Sequence, residues 1–428
     1  MSKKQHKMYY IFGILLGIII GIGFLKYFNL YWVESNTAYT KVTINFLFPI
    51  RQANFTEHIQ VIGEGDIAYQ SHWINAHTVE LILKEKGEIK GQKAVLKINH
   101  LPTQYNGLDK SVSIPIQFKA DIQLASSNQF LISSTGSFTI AFNTPITVQQ
   151  LYKSIQCEAE FDIKPYDTDC TTQFIFTPKK TLENGKIYIL RFLAGMRAKS
   201  GTLLKENQTI LLAVDQKPTI TKTYPVNGDK WIGLYPRLLL ESQEDIVNAK
   251  AYINGVIIDG TLIDSKHAYF LLDDLLQPEK NYDLSFQIQT ASGELSDMRQ
   301  VRFTTTTLND KRFWLDIHIG NTKEIRCYEE NKRIRTIPFE MSKEVSNLLL
   351  GTYYLQGTSE VYEDSENHLG GNYWICISNQ LGIQGTLRDA YWQPINDISH
   401  AKNMIITDEE AHWLYEKVTS DTMIIIRR

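Results

Sequence analysis

The sequence predicts a mainly β protein with an N-terminal transmembrane helix, three β-sandwich domains in series and a last β-rich domain with one short helix. A single long apolar run lies close to the N-terminus, and two sequence elements recur about 95 residues apart in the middle of the chain. Tyr (22) and Phe (19) are abundant, and aromatic side chains favour strands over helices.

Length and composition narrow the class of protein. A chain of 428 residues predicts roughly two to four domains. Hydrophobic residues make up 43% and charged residues 21%, which is typical of a folded protein. The formal net charge of -3 gives no basic excess, so nucleic acid is not an expected partner.

The first residues predict the topology. Lys3, Lys4 and Lys7 precede an unbroken apolar run over residues 8–25, long enough to nearly cross the hydrocarbon core. Positive charge ahead of such a run places the N-terminus in the cytoplasm. We therefore expect a single-pass cell-membrane protein: a cytoplasmic tail over 1–7, a retained anchor over 8–28 and an extracytoplasmic bulk. A cleaved signal peptide and a buried helix are the alternatives, and the bulky Lys-Tyr-Phe that follows the run argues against cleavage.

The middle of the chain contains repeats. Segments 43–50 (TINFLFPI) and 139–146 (TIAFNTPI) share the pattern T-I-x-F-x-x-P-I. Segments 182–190 and 276–284 share L-x-x-x-K-x-Y-x-L, and 91–98 is a fainter copy. The spacing predicts three units of about 95 residues, each of which alternates apolar and polar positions in short runs.

The units carry turn signals that fit antiparallel sandwiches. Asn-Gly pairs stand at 184–185, 227–228 and 254–255. The two repeated patterns resemble strands of the bacterial Ig-like modules that decorate exported proteins. The resemblance implies three Ig-like domains forming a stalk, and a single large β domain is the alternative. The predicted domains cover 35–120, 121–215 and 216–307, and Thr304–Thr307 is the predicted linker to the next domain.

The four cysteines suit an exported protein with few disulfides. Cys157 and Cys170 flank a turn-rich segment and either bridge two adjacent strands or stay free. Cys327 and Cys376 are expected to be small buried hydrophobic residues.

The pattern changes in the last region, 312–428. Alternation predicts strands near 313–319, 325–328, 351–355, 373–377 and 423–426. Thr407 and Glu410 form a capping box, which predicts a helix with one apolar face. The residues of that face are Ala411, Leu414, Tyr415 and Val418.

This region resembles the L,D-transpeptidase family (the YkuD-type domain). Segment 350–355 (LGTYYL) is similar to its "TPLGTYYL"-like strand, although Leu348-Leu349 replaces Thr-Pro. Segment 370–377 is similar to the strand ahead of the catalytic histidine, and 411–415 (AHWLY) with 422–425 (TMII) is similar to the family's ending. Members cleave the peptide bond before a D-amino acid in a peptidoglycan stem and pass the acyl group to an amine.

The family signature is H-x(14–17)-[S/T]-H-G-C, and this chain keeps its spacing without its chemistry. Gln384 stands at the base histidine, and fourteen residues separate it from the retained Ser399 and His400. Ala401 replaces the glycine and Lys402 replaces the cysteine. A register shifted by one residue places Asn403 at the nucleophile, so both registers stay open, and neither offers a thiol.

These replacements predict a catalytically inactive transpeptidase site. An amide cannot act as a general base at neutral pH, and a lysine amine is a nucleophile only with a depressed pKa. Asp397 and His400 are the groups expected near Lys402. Cys376 lies on a neighbouring strand, where its thiol is expected to keep a near-normal pKa and react slowly.

His400 has two open roles, a contact to a bound ligand or a hydrogen bond that holds its turn, which Ser399 is expected to cap. Gly370-Gly371 is interpreted as a turn. No motif for a metal ion or cofactor appears, so none is expected.

The predicted function is therefore non-catalytic binding of peptidoglycan or of a cell-wall-synthesis protein. A divergent active transpeptidase or carboxypeptidase and a purely structural envelope protein are the alternatives.

Overall fold

The computed structural model describes residues 29–105, 109–309, 311–342, 350–378 and 381–428. Within them the chain has 31 strands, two α-helices and one 3-10 helix, which confirms the mainly β prediction. The predicted tail and anchor, residues 1–28, lie outside the described residues. None of the helices in the described part of the chain is both long and apolar enough to cross a membrane.

The chain divides into two compact units, Met1–Gln216 and Lys217–Arg428. The first unit contains two segments, each with two sheets that share one hydrophobic core, and we call them modules 1 and 2. The second unit contains a third such segment, module 3, followed by the terminal domain.

Module 1 has two sheets with the strand orders β1-β2-β5-β4 and β3-β6-β7. Its core includes Val42, Ile44, Leu81, Leu96 and Ile114. Its elements are β1 Asn29–Ser35, β2 Thr40–Phe46, a 3-10 helix Phe55–His58, β3 Ile59–Gly63, β4 Ile67–Trp73, β5 Thr78–Glu85, β6 Lys93–Pro102 and β7 Asp109–Gln117.

Module 2 pairs the sheets β10-β13-β14-β8 and β11-β12-β9. Its elements are β8 Gln129–Ile132, β9 Phe138–Thr147, α1 Val148–Ser154, β10 Ile155–Gln156, β11 Phe161–Pro165, β12 Cys170–Pro178, β13 Ile187–Phe192 and β14 Gln208–Val214. Cys157 and Cys170 are free thiols, so the bridge left open by the sequence is not formed in this structure.

Module 3 pairs the sheets β15-β16-β20-β19 and β18-β17-β21-β22. A two-residue turn joins β17 to β18, with Asn254 at φ 51° and Gly255 at φ 82°, which is the conformation that Asn-Gly favours. Its strands are β15 Ile220–Tyr224, β16 Leu238–Ser242, β17 Asn248–Ile253, β18 Val256–Asp259, β19 Thr261–Leu262, β20 His267–Phe270, β21 Asn281–Gln289 and β22 Arg299–Thr304.

The repeated sequence patterns have repeated structural roles. In T-I-x-F-x-x-P-I the Ile, Phe and final Ile positions are buried in both copies. In L-x-x-x-K-x-Y-x-L the tyrosine hydroxyl accepts a backbone hydrogen bond from the residue five positions earlier, at 3.2 Å for Tyr188 and 2.8 Å for Tyr282. The repeats therefore share local structure, while the Ig-like assignment and the domain bounds stay predictions.

Within the described residues, the terminal domain has two sheets, β25-β24-β23-β31-β26 and β27-β28-β29-β30, and one helix. The five strands and the helix expected from the sequence are present. Its elements are β23 Phe313–His318, β24 Glu324–Glu329, β25 Lys332–Pro338, β26 Gly351–Tyr354, β27 Gly357–Asp364, β28 Leu369–Ser378, β29 Leu381–Gln384, β30 Met404–Ile405, α2 Asp408–Lys417 and β31 Met423–Arg427.

Helix α2 begins as its capping signal predicts, but only half of the capping box forms. The Thr407 side chain accepts the backbone N–H of Glu410 at 3.3 Å. The Glu410 carboxylate instead accepts a hydrogen bond from Arg335 at 3.1 Å. The acidic side chain therefore ties the helix to strand β25 rather than closing the cap.

The five-stranded sheet is buried on both faces. Leu315 and Ile424 point into the core of the terminal domain. Trp314, Met423 and Ile425 point the other way and belong to the same hydrophobic cluster as the core of module 3. Module 3 and the terminal domain therefore share a core within the second unit.

Hydrogen bonds also join module 3 to the terminal domain. The Thr352 hydroxyl accepts the backbone N–H of Tyr235 at 2.9 Å, and Arg237 donates to the Leu350 carbonyl at 2.6 Å. Thr305 and Thr306, in the predicted linker, are 2% and 1% exposed, and the Thr305 hydroxyl donates to the Gln277 carbonyl at 2.6 Å.

Candidate functional site

The candidate site lies on one face of the four-stranded sheet of the terminal domain. Alternate residues of a strand point to opposite faces. Ile375, Ile383 and Met404 point into the domain core. Their neighbours Gln384 and Asn403 therefore lie on the other face, which we call the site face.

Gln384 and Asn403 form a buried amide pair. Each is 1% exposed, and Asn403 Nδ2 donates to Gln384 Oε1 at 2.7 Å. Gln384 Nε2 donates to the Gly370 carbonyl at 3.2 Å. Both ends of the glutamine amide are thus satisfied inside the protein, as buried polar groups require.

A glycine makes room for this pair, and its prediction as part of a turn is wrong. Gly370 and Gly371 lie in strand β28, not in a turn. A Cβ at Gly371 would stand 2.6 Å from Gln384 Nε2. The absence of a side chain at Gly371 therefore lets the Gln384 amide approach the strand.

Two aromatic residues extend the site face. Tyr362 and Trp374 stack with their ring centroids 5.1 Å apart, and Trp374 Nε1 lies 3.4 Å from Asn403 Oδ1. Both rings are partly exposed. Sequence reasoning missed them as site residues, although strand alternation through Ile375 would place Trp374 on this face.

Lys402 turns away from Gln384. Its ammonium lies 2.7 Å from Glu366 and 3.2 Å from Asp364. Hydrogen bonds from Lys402 to Glu366 and Asp364 raise the pKa of the lysine above its usual value. The partners are not Asp397 and His400, as the sequence suggested, and the shift opposes nucleophilic chemistry.

The retained Ser399 and His400 lie on an exposed turn. Asp397 accepts the backbone N–H of Ser399 at 3.0 Å, so Asp397 rather than Ser399 caps the turn. No side-chain hydrogen bond joins His400 to a described residue, so the expected turn-holding role is not seen. Ala401 is buried, and its carbonyl accepts the Ser342 hydroxyl at 2.9 Å.

The thiols of this domain are poorly suited to nucleophilic attack. Cys376 pairs with Gly382 on the adjacent strand, as predicted, but it is only half-buried. Burial raises its pKa, which corrects the near-normal value expected. Cys327 lies fully in the core, where burial raises its pKa to about 12.

A cavity of about 670 Å³ lies beside the site face. Its lining mixes apolar side chains, among them Phe339 and Ile405, with polar ones such as Glu340 and Asn396, and Ile405 is paired with Gln384. The volume falls in the range of small-molecule pockets. Nowhere in the described ranges do three His, Cys, Asp or Glu side chains converge as metal ligands would. The Leu348-Leu349 replacement lies outside the described residues.

We predict that Asn403→Ala lowers the free energy of unfolding by about 1–3 kcal/mol, because it leaves the buried Gln384 amide unsatisfied. Lys402→Ala is the matched control and should cost much less than Asn403→Ala, since its ion pairs are partly exposed and solvent screens them. Urea denaturation followed by tryptophan fluorescence measures both. A larger loss for Lys402→Ala would mean that the register of the site is misassigned.

No protein-family model and no curated protein sequence matches the chain. Among solved structures, an L,D-transpeptidase from Mycobacterium smegmatis matches 50% of this chain and 100% of its own, with 13% identity and a TM-score of 0.30. L,D-transpeptidase 3 from Mycobacterium tuberculosis, solved with a faropenem-derived adduct, matches 49% and 98%, with 13% identity and a TM-score of 0.30. A tandem segment of titin matches 65% and 98%, with 8% identity and a TM-score of 0.25. At such TM-scores the likeness carries no argument about this chain.

Proposed function

We propose that this chain is a membrane-anchored, extracytoplasmic protein of the cell wall whose terminal domain binds without catalysis. Its ligand is peptidoglycan or a protein of cell-wall synthesis. The anchor is segment 8–28, which contains the apolar run 8–25, and the terminal domain is an L,D-transpeptidase-like domain that has lost its catalytic groups.

The buried amide pair carries the non-catalytic part of the proposal. In the shifted register of the family motif, Gln384 takes the place of the base and Asn403 that of the thiol. Neither amide takes up a proton at neutral pH, and neither offers a thiolate for acyl transfer. The two side chains are hydrogen-bonded to each other at 2.7 Å.

The neighbouring groups disfavour the divergent-enzyme alternative. Lys402 is held as an ammonium by Asp364 and Glu366, and the raised pKa of Cys376 keeps that thiol protonated at neutral pH. His400 is exposed on its turn, and no hydrogen bond joins it to a thiol among the described residues.

Two features support binding over a purely structural role. Tyr362 and Trp374 offer a partly exposed aromatic surface, which favours contact with apolar or sugar-ring faces. The cavity beside Ile405 adds a concave surface with both apolar and polar lining. Ligand recognition by such surfaces needs no thiol.

We expect the full chain in detergent to bind tetrapeptide muropeptides without cross-linking or trimming them, and to form no adduct with a carbapenem. Mass spectrometry detects products and adducts, and calorimetry measures affinity. Trp374→Ala should weaken binding about tenfold or more, as loss of an aromatic anchor does. Trp231→Ala, an exposed tryptophan in module 3, is the matched control.

Turnover, or an adduct on Lys402 or Cys376, would contradict the proposal and favour a divergent enzyme. If muropeptides are neither bound nor turned over, the alternative of a purely structural envelope protein is favoured.

A further inference from the structure

The first described strand exposes an unusual run of apolar side chains. Leu30, Tyr31, Trp32 and Val33 are 51%, 43%, 54% and 37% exposed. Elsewhere in the described ranges, exposed large hydrophobic residues occur at most two in succession. We call these four residues the β1 patch.

The β1 patch is fixed to a folded module. Strand β1 pairs with β2 over all seven of its residues and forms the edge of its sheet. The Ser35 hydroxyl donates to the Gln117 carbonyl of β7 at 3.1 Å, which joins the strand to the second sheet. Whatever the patch contacts therefore also orients module 1.

Chain length identifies what the patch can contact. The apolar run ends at residue 25 and β1 begins at residue 29, and four Cα steps span at most roughly 14 Å. The headgroup layer of one leaflet is about 5–8 Å thick. A strand tethered this closely to a membrane-crossing run starts in or just above the headgroups.

The chemistry of the patch suits that location. Trp and Tyr are enriched where hydrocarbon meets water, because their rings are amphipathic. Neighbouring residues of a strand point to opposite faces, so Leu30 and Trp32 lie opposite Asn45 and Thr43, whereas Tyr31 and Val33 lie opposite Ile44 and Val42. The edge strand β1 is therefore apolar on both of its faces. A bilayer surface accepts such an edge without requiring a protein partner.

We propose that the β1 patch docks module 1 on the outer surface of the lipid bilayer and so sets the angle at which the chain leaves the membrane. The inference rests on the proposed anchor. The bilayer is the occupant, and a second copy pairing along the free edge of β1 is the competing outcome.

The test places the full chain in phosphatidylcholine–phosphatidylglycerol vesicles with lipids brominated in the upper acyl chain. Trp73, on β4, is the internal reference, since three strand spacings separate it from β1, roughly 14 Å. Bromine quenches only nearby indoles. Trp32→Phe should abolish most of the quenching, whereas Trp73→Phe should leave it in place.

A second variant keeps the fluorophore. Leu30→Ser with Val33→Ser should reduce Trp32 quenching, because it removes apolar contact and leaves the strand pairing intact. Trp32 quenching that the two serines leave unchanged would overturn docking, since the short tether alone would then hold Trp32 near the bilayer; equal quenching losses for Trp32→Phe and Trp73→Phe would overturn it as well. Cross-linked dimers without quenching would also overturn it in favour of a second copy.

Alkaline extraction separates the two proposals. A chain that stays in the vesicles but shows equal quenching refutes docking alone. A chain that is extracted refutes the anchor, and docking with it.

Discussion

Asp316→Ala should lower the free energy of unfolding of the Lys217–Arg428 unit by about 3–5 kcal/mol. Asp316 is 1% exposed and accepts two hydrogen bonds from the Arg427 guanidinium, at 2.9 and 3.0 Å. His318 Nε2 adds a third contact at 2.9 Å. Removing the carboxylate leaves a partly buried guanidinium without its counter-charge, which is costlier than losing an exposed pair.

Asp283→Ala is the matched control. Asp283 also accepts a hydrogen bond from an arginine, Arg302, at 2.7 Å, but both side chains are largely exposed. Solvent screens such a pair, so the loss of unfolding free energy should be far smaller than for Asp316→Ala. Hydrogen exchange of peptides from the second unit measures both variants in the full chain. Equal losses would show that Asp316 is not a buried counter-ion.

The pH dependence gives an independent check. Burial alone would raise the pKa of Asp316, but hydrogen bonds from Arg427 and His318 outweigh it and lower the pKa. A depressed folded-state pKa contributes stability that is present above the unfolded value of about 3.9 and is lost as pH falls through the folded value. The difference in the free energy of unfolding between the wild type and Asp316→Ala should therefore become smaller below about pH 4.

Local signals predicted much of the terminal domain. The strands near Phe313 and Tyr373 follow from alternation, and the helix follows from the capping role of Thr407. These patterns act over a few residues, so they do not depend on contacts with distant parts of the chain.

The relation between module 3 and the terminal domain was not predicted, because it depends on contacts between distant residues. One signal was available. The unbroken run Met423–Ile426 does not alternate, and such runs are typical of strands buried on both faces. A fragment ending at Thr307 would expose to solvent the module 3 side of the shared core. Module 3 in that fragment should therefore be less stable than it would be if it had a separate core of its own.

The candidate site shows the limit of motif spacing. Spacing identified Gln384 and narrowed its partner to two adjacent residues. A shift of one residue reverses the face that a strand side chain occupies. Asn403, immediately ahead of strand β30, hydrogen-bonds Gln384, and Lys402 pairs with Glu366 instead. Motif spacing alone could not distinguish these two arrangements.

Trp314→Ala should destabilise the second unit by about 3–5 kcal/mol and should affect module 3 as strongly as the terminal domain. Trp314 is 5% exposed, stacks on Tyr328 at 4.3 Å, and donates to the Glu330 carbonyl at 2.7 Å. It belongs to the cluster that contains the core of module 3. Faster hydrogen exchange is expected in β17 and β21, which belong to module 3. Exchange changes confined to residues after 311 would contradict a shared core.

The reciprocal variant starts from module 3. A Cβ at Gly233 would meet the Thr352 side chain of the terminal domain at less than 3 Å, so Gly233→Ala should cost about 1–3 kcal/mol. Gly357→Ala is the control, because a Cβ there has no heavy atom within 4 Å. If the two domains unfold together, Gly233→Ala speeds exchange in β23 and β31 although the change lies outside the terminal domain. If they unfold separately, β23 and β31 keep their protection from hydrogen exchange. In that case the steric clash at Gly233 is relieved when the two domains separate, and neither core has to unfold.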